Sequence, residues 1–254
     1  MGKSKKSKKR SGGGRPIYVG TSGWTYDDWQ ERFYPADVKG ADRLQYYATR
    51  FDTVEVNASF YRTPTQTMIK AWNRRLGEDF HLVLKGNRRV THRKKLKDHQ
   101  DALDFFMQRS MQLDRLEVIL WQLPPSLHKD VKRLDTFLDA LPGDVRYAVE
   151  FRHPSWWDEE VAACLAQHAA AFVAVSHPAL PAVVRPTTDF LYMRFHGRGE
   201  NLYQWNYSKK ELAEWAARLR PHLENRALYA FFNNDHHAHA PENAAVLRAL
   251  LSEA

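Results

Sequence analysis

The sequence predicts an α/β chain: a single (β/α)8 TIM-type barrel over residues 16–254, behind a disordered basic N-terminal tail over residues 1–15. Three observations lead there. From Pro16 onward, eight strand-like segments alternate with helix-like ones almost to the C-terminus, the pattern of parallel βα units. Three of those strands place ionisable residues on one face near their C-terminal ends, where such barrels build their sites. The turn after the first strand, Gly20-Thr-Ser-Gly-Trp-Thr25, lacks the Gly-x-Gly-x-x-Gly spacing of an open dinucleotide-binding sheet, and no Walker motif appears.

The first strand spans 17–23, followed by a helical pattern over 41–50. In the second strand, 53–59, Val54 and Val56 alternate with Glu55 and Asn57. Strand side chains alternate faces, so one face is apolar and the other presents polar groups. Helix 66–76, strand 81–87 and helix 98–112 follow, the last with Leu103, Phe106 and Met107 at helical spacing. Strand 116–123 and helix 130–140 lead to strand 146–151, where Tyr147, Val149 and Phe151 oppose Glu150 and Arg152. Helix 158–169 precedes strand 171–177. Pro178, Pro181 and Pro186 argue against a full helix in 178–189, so the sixth crossover reads as a loop or short turn. Strand 190–196 sets Leu191, Met193 and Phe195 against Arg194 and His196. Helix 209–223, strand 227–234 and helix 241–252 close the chain, with Pro241 suited to a first helical turn.

At 254 residues and 43% hydrophobic content, the chain can bury a full core. No run of 18 or more apolar residues appears, so no membrane span is expected. No apolar stretch follows the charged N-terminus, which argues against a secretory signal. Cys164 is the sole cysteine, which excludes an intrachain disulfide framework and a cysteine-based zinc cage and suits a cytoplasmic location. It lies in an apolar helical stretch and reads as packed rather than reactive. Of the formal charge of +8, residues 1–15 supply +7 from five Lys and two Arg with no acid, leaving +1 for the rest. Such a tail reads either as a weak polyanion or nucleic-acid contact or as a solubilising extension.

The strand ends and the loops after them carry short motifs in a fixed order. These are Gly-Thr-Ser-Gly-Trp at 20–24, Phe-Tyr-Pro at 33–35, Val-Glu-Val-Asn at 54–57, Phe-Tyr at 60–61 and Thr-His at 91–92. Gln-Leu-Pro-Pro at 122–125, Glu-Phe-Arg-His at 150–153, Trp156, Arg-Phe-His-Gly at 194–197 and Phe-Asn-Asn at 232–234 complete the series. Together they resemble the YecE-like family, also known as domain of unknown function 72, from Ile17 to Leu251. The resemblance implies a TIM-barrel-like fold and an enzyme, but brings no reaction with it. The chain departs from the pattern at Val175-Ser-His-Pro178, where an acidic residue is expected, and at Asp235-His-His-Ala-His239, which replaces a shorter turn.

Glu55 and Glu150 are the candidate acid/base pair, since neighbours can separate the ionisation of two carboxylates in one cavity. The competing reading is that each neutralises an arginine. His196 is the candidate proton carrier; the three histidines His92, His153 and His196 read as proton shuttles or metal ligands, with His92 and His153 also placed among the substrate-binding groups. Arg152, Arg194 and Lys85 suggest an anionic substrate group. Asn57, Gln122 and Asn234 would orient that substrate, with Trp24, Tyr61 and Trp156 as rim aromatics. No organic cofactor is implied, and a divalent metal is compatible with these residues but not indicated by them. The 235–239 segment reads as a polar turn. The expected function is acid/base hydrolysis or isomerisation of a small polar or anionic substrate, sugar- or phosphate-like. The alternatives are a metal-dependent phosphodiesterase acting on nucleic acid and a non-catalytic nucleic-acid-binding protein.

Overall fold

The structure, a computed structural model, describes residues 15–253. Apart from Arg15, the predicted tail lies outside the described residues. In chain order the elements are β1 (Ile17–Thr21), α1 (Arg43–Ala48), β2 (Thr53–Val56), α2 (Ala58–Tyr61), α3 (Gln66–Arg75), β3 (His81–Lys85), α4 (Gln100–Ser110) and β4 (Leu116–Gln122). They continue with α5 (Val131–Asp139), β5 (Arg146–Glu150), α6 (Glu159–Gln167), β6 (Ala170–Phe172), β7 (Ala174–Ser176), β8 (Phe190–Phe195), α7 (Lys209–Leu219), β9 (Ala227–Phe232) and α8 (His239–Ser252). Helix starts follow local capping chemistry. The Asp158 carboxylate accepts the Glu160 N–H at 2.9 Å, and Ser208 with Glu211 forms a reciprocal capping box. As the prolines predict, 178–189 contains no helix. No helix among the described residues is long and apolar enough to cross a membrane.

All strand pairs are parallel, and they form two sheets, ordered β1-β9-β8-β7 and β2-β3-β4-β5-β6. The predicted α/β class holds, but the predicted closed eight-stranded ladder does not: hydrogen bonding stops at two seams. At the first, the predicted strand 171–177 divides. Val173 N–H still donates to Val149 O at 3.0 Å, whereas Ala174–Ser176 pairs with Met193–Phe195. One extended run therefore changes sheet at Val173.

The second seam lies between β1 and β2, and a side chain fills it. The Tyr47 hydroxyl accepts the Thr21 N–H at 3.0 Å and donates to Thr53 O at 3.1 Å. It replaces the bond these two backbone groups would otherwise exchange directly. Gly20 permits the approach, because a Cβ there would sit 2.4 Å from Thr53 O. Tyr47→Phe is expected to lose about 1–3 kcal/mol, since it strands a buried donor and acceptor. Urea denaturation checks this; an unchanged midpoint would mean that other contacts hold the seam.

Two hydrophobic layers result. The larger lies between sheets and helices and takes the outward residues, among them Val54, Val56, Tyr147, Val149, Phe151, Met193 and Phe195. Cys164 packs there, and burial pushes its thiol up to about 11, as the packed reading predicts. The smaller layer lies between the two sheets, with Val83, Leu120 and Ala148 from one sheet and Val175, Tyr192 and Phe231 from the other. Parity then carries the next inward residues, toward the strand C-termini, into the same interior: Lys85, Gln122, Glu150 and Arg194.

Candidate active site

Arg194 of β8 stands at the centre of that polar end. Its Nη1 donates to Glu150 Oε2 at 2.6 Å, and its Nη2 donates to Glu55 Oε1 at 2.6 Å. Glu55 also accepts the Ser22 hydroxyl at 2.7 Å and the Tyr192 hydroxyl at 2.6 Å. Glu150 Oε1 accepts from Arg152 Nε and lies 3.3 Å from His196 Nε2. Arg152 Nη2 donates to His196 Nε2 at 2.9 Å. Glu55, Glu150, Arg194 and His196 are wholly buried. Of the two readings open for the carboxylates, the geometry has each of them bound to arginine.

Burial alone would raise the Glu150 pKa, but Arg152 and Arg194 hold it well below the usual carboxylate range. Burial opposes the Arg194 charge, and the two carboxylates more than restore it, so this guanidinium stays protonated. Burial, aided by Arg152, drives His196 well below its ordinary value, so the ring is neutral. His92 is pushed down to about 4 by burial and then by Lys85.

Lys85 differs from the other cations. Burial, reinforced by Arg194, pushes its amine down to about 7. Among the described residues it forms no ion pair; Nζ sits 4.4 Å from the centre of the Phe60 ring. Asp235 is its acidic counterpart, pushed up to about 7 by burial against the opposing effects of Tyr26 and Arg194. One of its oxygens, Oδ1, is buried without a hydrogen-bond partner. The predicted polar turn thus holds a near-neutral carboxyl that composition did not reveal.

The structure gathers Glu55, Asn57, Lys85, Gln122, Arg152, Arg194 and His196 at one end of the interior, with His92 behind Phe60. Asn57 accepts from Arg194 Nη2 at 3.4 Å and donates to Ser22 O at 3.1 Å. Gln122 is 8% exposed and, among the described residues, donates only to the neighbouring Leu123 O, at 3.3 Å. Other predicted residues lie elsewhere. Trp156 is buried in the outer layer, stacked on Phe151 at 4.6 Å, with its indole N–H donated to Leu127 O. The reason is parity: Phe151 points outward and takes Trp156 with it. His153 caps a short 3-10 turn by accepting the Ser155 N–H, and it stacks on His128 at 3.8 Å. Asn234 points outward and donates to Trp205 O and Asn243 Oδ1. Its neighbour Asn233 takes the inward place, 3.4 Å from His196 Nδ1 and 3.0 Å from the Asn57 amide nitrogen. Trp24 is half-buried, edge-on to Trp72, and Tyr61 is 66% exposed beneath Arg88.

Ser22, Asn233 and Asp235 lie in segments that the sequence singles out but outside the predicted site residues, and Tyr192 is outside them too. Strand parity with Arg194 was enough to find Tyr192; Asp235 carried no local signal. The three candidate histidines do not form a metal-binding triad. Among the described residues, ligand atoms close enough to hold an ion belong to Asp135, Cys164 and His168, on and just after α5 and α6.

A Bacillus subtilis protein described as UPF0759 protein YunF is 24% identical over 269 residues, covering 92% of this chain and 94% of its own length. The UPF0759 protein YecE of Escherichia coli K12 is 29% identical over 143 residues, 56% of this chain and 50% of its own. Among solved structures, a DUF72 family protein from Thermotoga maritima matches with TM-score 0.82 and 32% identity, covering 94% of this chain and 100% of that one. The family model "Protein of unknown function DUF72" matches residues 18–254, and the chain therefore belongs to the DUF72 family.

Proposed function

We propose that the protein is an acid/base enzyme that hydrolyses or isomerises a small anionic substrate, with Lys85 as the group that moves the proton. The observation that carries this reading is the Lys85 amine, buried at a strand end, with its pKa pushed down to about 7 and without an ionic partner among the described residues. A group with its pKa near the working pH is both available as a base and strong enough to be useful as an acid. Desolvated lysines are a recurrent means to this end. In this reading the two sheets are the halves of a (β/α)8-type barrel, whose chemistry belongs at the strand C-termini.

Charge supports the substrate class. Lys85, Arg152 and Arg194 face two charged carboxylates, Glu55 and Glu150, with His196 neutral. Protonated Lys85 leaves one positive charge unmatched, enough for one carboxylate or phosphate group. Arg194 has both terminal nitrogens committed, so the incoming anion would meet Lys85 and Arg152, whose side chain is 12% exposed. Glu150, tied to two guanidiniums and held ionised, orients the cations rather than exchanging protons. Asp235 supplies a second near-neutral group for the return proton.

The test begins with mass spectrometry of small anions retained by the purified protein, followed by turnover assays on those found. Lys85→Met is expected to lower the rate by about 10²-fold or more, the usual scale for a positioned acid or base. The wild-type pH–rate profile should bend near 7, and the variant should lack that bend. Near-normal turnover in a folded Lys85→Met protein would remove Lys85 from the chemistry.

A further inference from the structure

Beside the buried cluster, across the wall made by Phe60 and Tyr61, lies an open cleft of about 580 Å³. Arg62, Arg88, Arg89, Arg93 and Arg109 line it. Among the described residues none of these five forms an ion pair with a carboxylate, although elsewhere Arg133, Arg185 and Arg198 pair with acids. A concave surface with five unneutralised guanidiniums focuses positive potential and favours a multiply charged anion.

Local structure brings these side chains together. After β3 the backbone makes a single π turn over Arg89–Arg93, whose extra residue per turn brings its first and last arginines to one side. Such turns concentrate at functional sites. Across the cleft, Thr65 caps α3, and Thr65 to Thr67 form part of the lining, so the positive end of a ten-residue helix adds to the arginines. Two aromatic rings complete the site. Tyr61 is 66% exposed and Phe105 51% exposed, each carrying a guanidinium over one face, Arg88 at 5.4 Å and Arg109 at 6.0 Å. Rings held by stacked arginines and open to solvent are platforms on which a base can lie.

We propose that this cleft binds a nucleoside phosphate, with the phosphates on the arginines of the π turn and the base on Tyr61 or Phe105. The ligand is either a free nucleotide or one unit of a single strand, and the chemistry of recognition is common to both. The site is distinct from the buried cluster and independent of proton transfer at Lys85. The two adjoin through Phe60, whose ring contacts Lys85 Nζ on one side and Tyr61 at 5.0 Å on the other.

Calorimetric titration of the full chain at 150 mM salt with ATP, inorganic triphosphate and an eight-residue oligothymidylate tests this. ATP is expected to bind about 10-fold tighter than triphosphate, the difference reflecting base stacking. Arg89→Glu with Arg93→Glu should weaken ATP by about 100-fold, roughly 10-fold per charge-assisted contact. Tyr61→Ala with Phe105→Ala should weaken ATP but not triphosphate. Lys209→Glu with Lys210→Glu, an equal change of charge on two exposed residues of α7, should leave binding as it was; the basic residues of 1–15 are common to every variant. Oligothymidylate at least about 10-fold tighter than ATP assigns the cleft to a strand, and equal or weaker binding assigns it to free nucleotide. Failure of the wild type to bind either nucleotide probe overturns the proposal. So does a folded double arginine variant that binds normally, a loss of equal size in the Lys209→Glu, Lys210→Glu control, or triphosphate binding as tightly as ATP.

Discussion

Arg194→Leu is expected to lose about 3–5 kcal/mol of stability, the scale for removing one partner from a buried ion pair. The loss has little to do with the packing of the new side chain. Glu55 and Glu150 are wholly buried, and each would lose its 2.6 Å bond to a guanidinium. Glu55 would be left with two neutral hydroxyl donors, those of Ser22 and Tyr192. Urea denaturation at pH 7 measures the loss. Arg194→Lys should fall between leucine and wild type, since one ammonium cannot present two separate edges to two carboxylates. The triple replacement Arg194→Leu, Glu55→Met and Glu150→Met should recover most of the loss, because a buried ionic group exchanged whole for apolar side chains is close to neutral in stability. A leucine variant within about 0.5 kcal/mol of wild type would mean that water reaches the cluster and shields it.

Lys85→Met is expected to act in the opposite direction, stabilising the fold while removing its chemistry. Burial pushes the folded-state amine from 10.5 down to about 7. Below pH 7 both folded and unfolded chains carry the ammonium, and the folded chain bears the full penalty of burying it. Between about 7 and 10.5 the unfolded chain keeps the proton and the folded chain has shed it, so wild-type stability rises with pH through this window. Above 10.5 the amine is neutral in both states. The advantage of methionine is therefore greatest at or below pH 7 and shrinks as pH approaches 10.5. The gap between the two values bounds it at about 5 kcal/mol, and about 2–4 kcal/mol is expected once lost contacts are included. Paired denaturation curves of the two proteins at pH 6, 8 and 10 check both sign and slope. A constant difference across that range would mean that the Lys85 amine is solvated.

Most strands and helices were legible because burial writes itself into local periodicity. Val54 with Val56 and Tyr147 with Val149 occupy the outer layer as their alternation requires, and Glu55 and Glu150 occupy the interior. Closure was not legible. The alternation within a strand says which face is buried but not which strand lies alongside, so neither the Tyr47 seam nor the change of sheet at Val173 leaves a local trace. The exchange of Asn234 for Asn233 is a parity error at a strand end, correctable by counting from Phe231, which pairs with Arg194. Asp235 and Lys85 show a different limit. Their near-neutral ionisation depends on burial beneath segments remote in sequence, and no window around either residue contains it. Trp156 shows the reverse: it belongs to the family pattern, but its place there is structural.

The bonds joining Glu55 to Ser22, Tyr192 and Arg194, and the bond joining Glu150 to Arg194, all run between the two sheets. The polar cluster is therefore a fastener as well as a charge device. If the proposed anion drew Arg194 from its carboxylates, or Arg152 from His196, it would loosen the junction between the two sheets, and a tighter junction would hold those arginines back from it. On that proposal ligand affinity and the cohesion of the two sheets would draw on the same few hydrogen bonds, so selection acting on one would move the other.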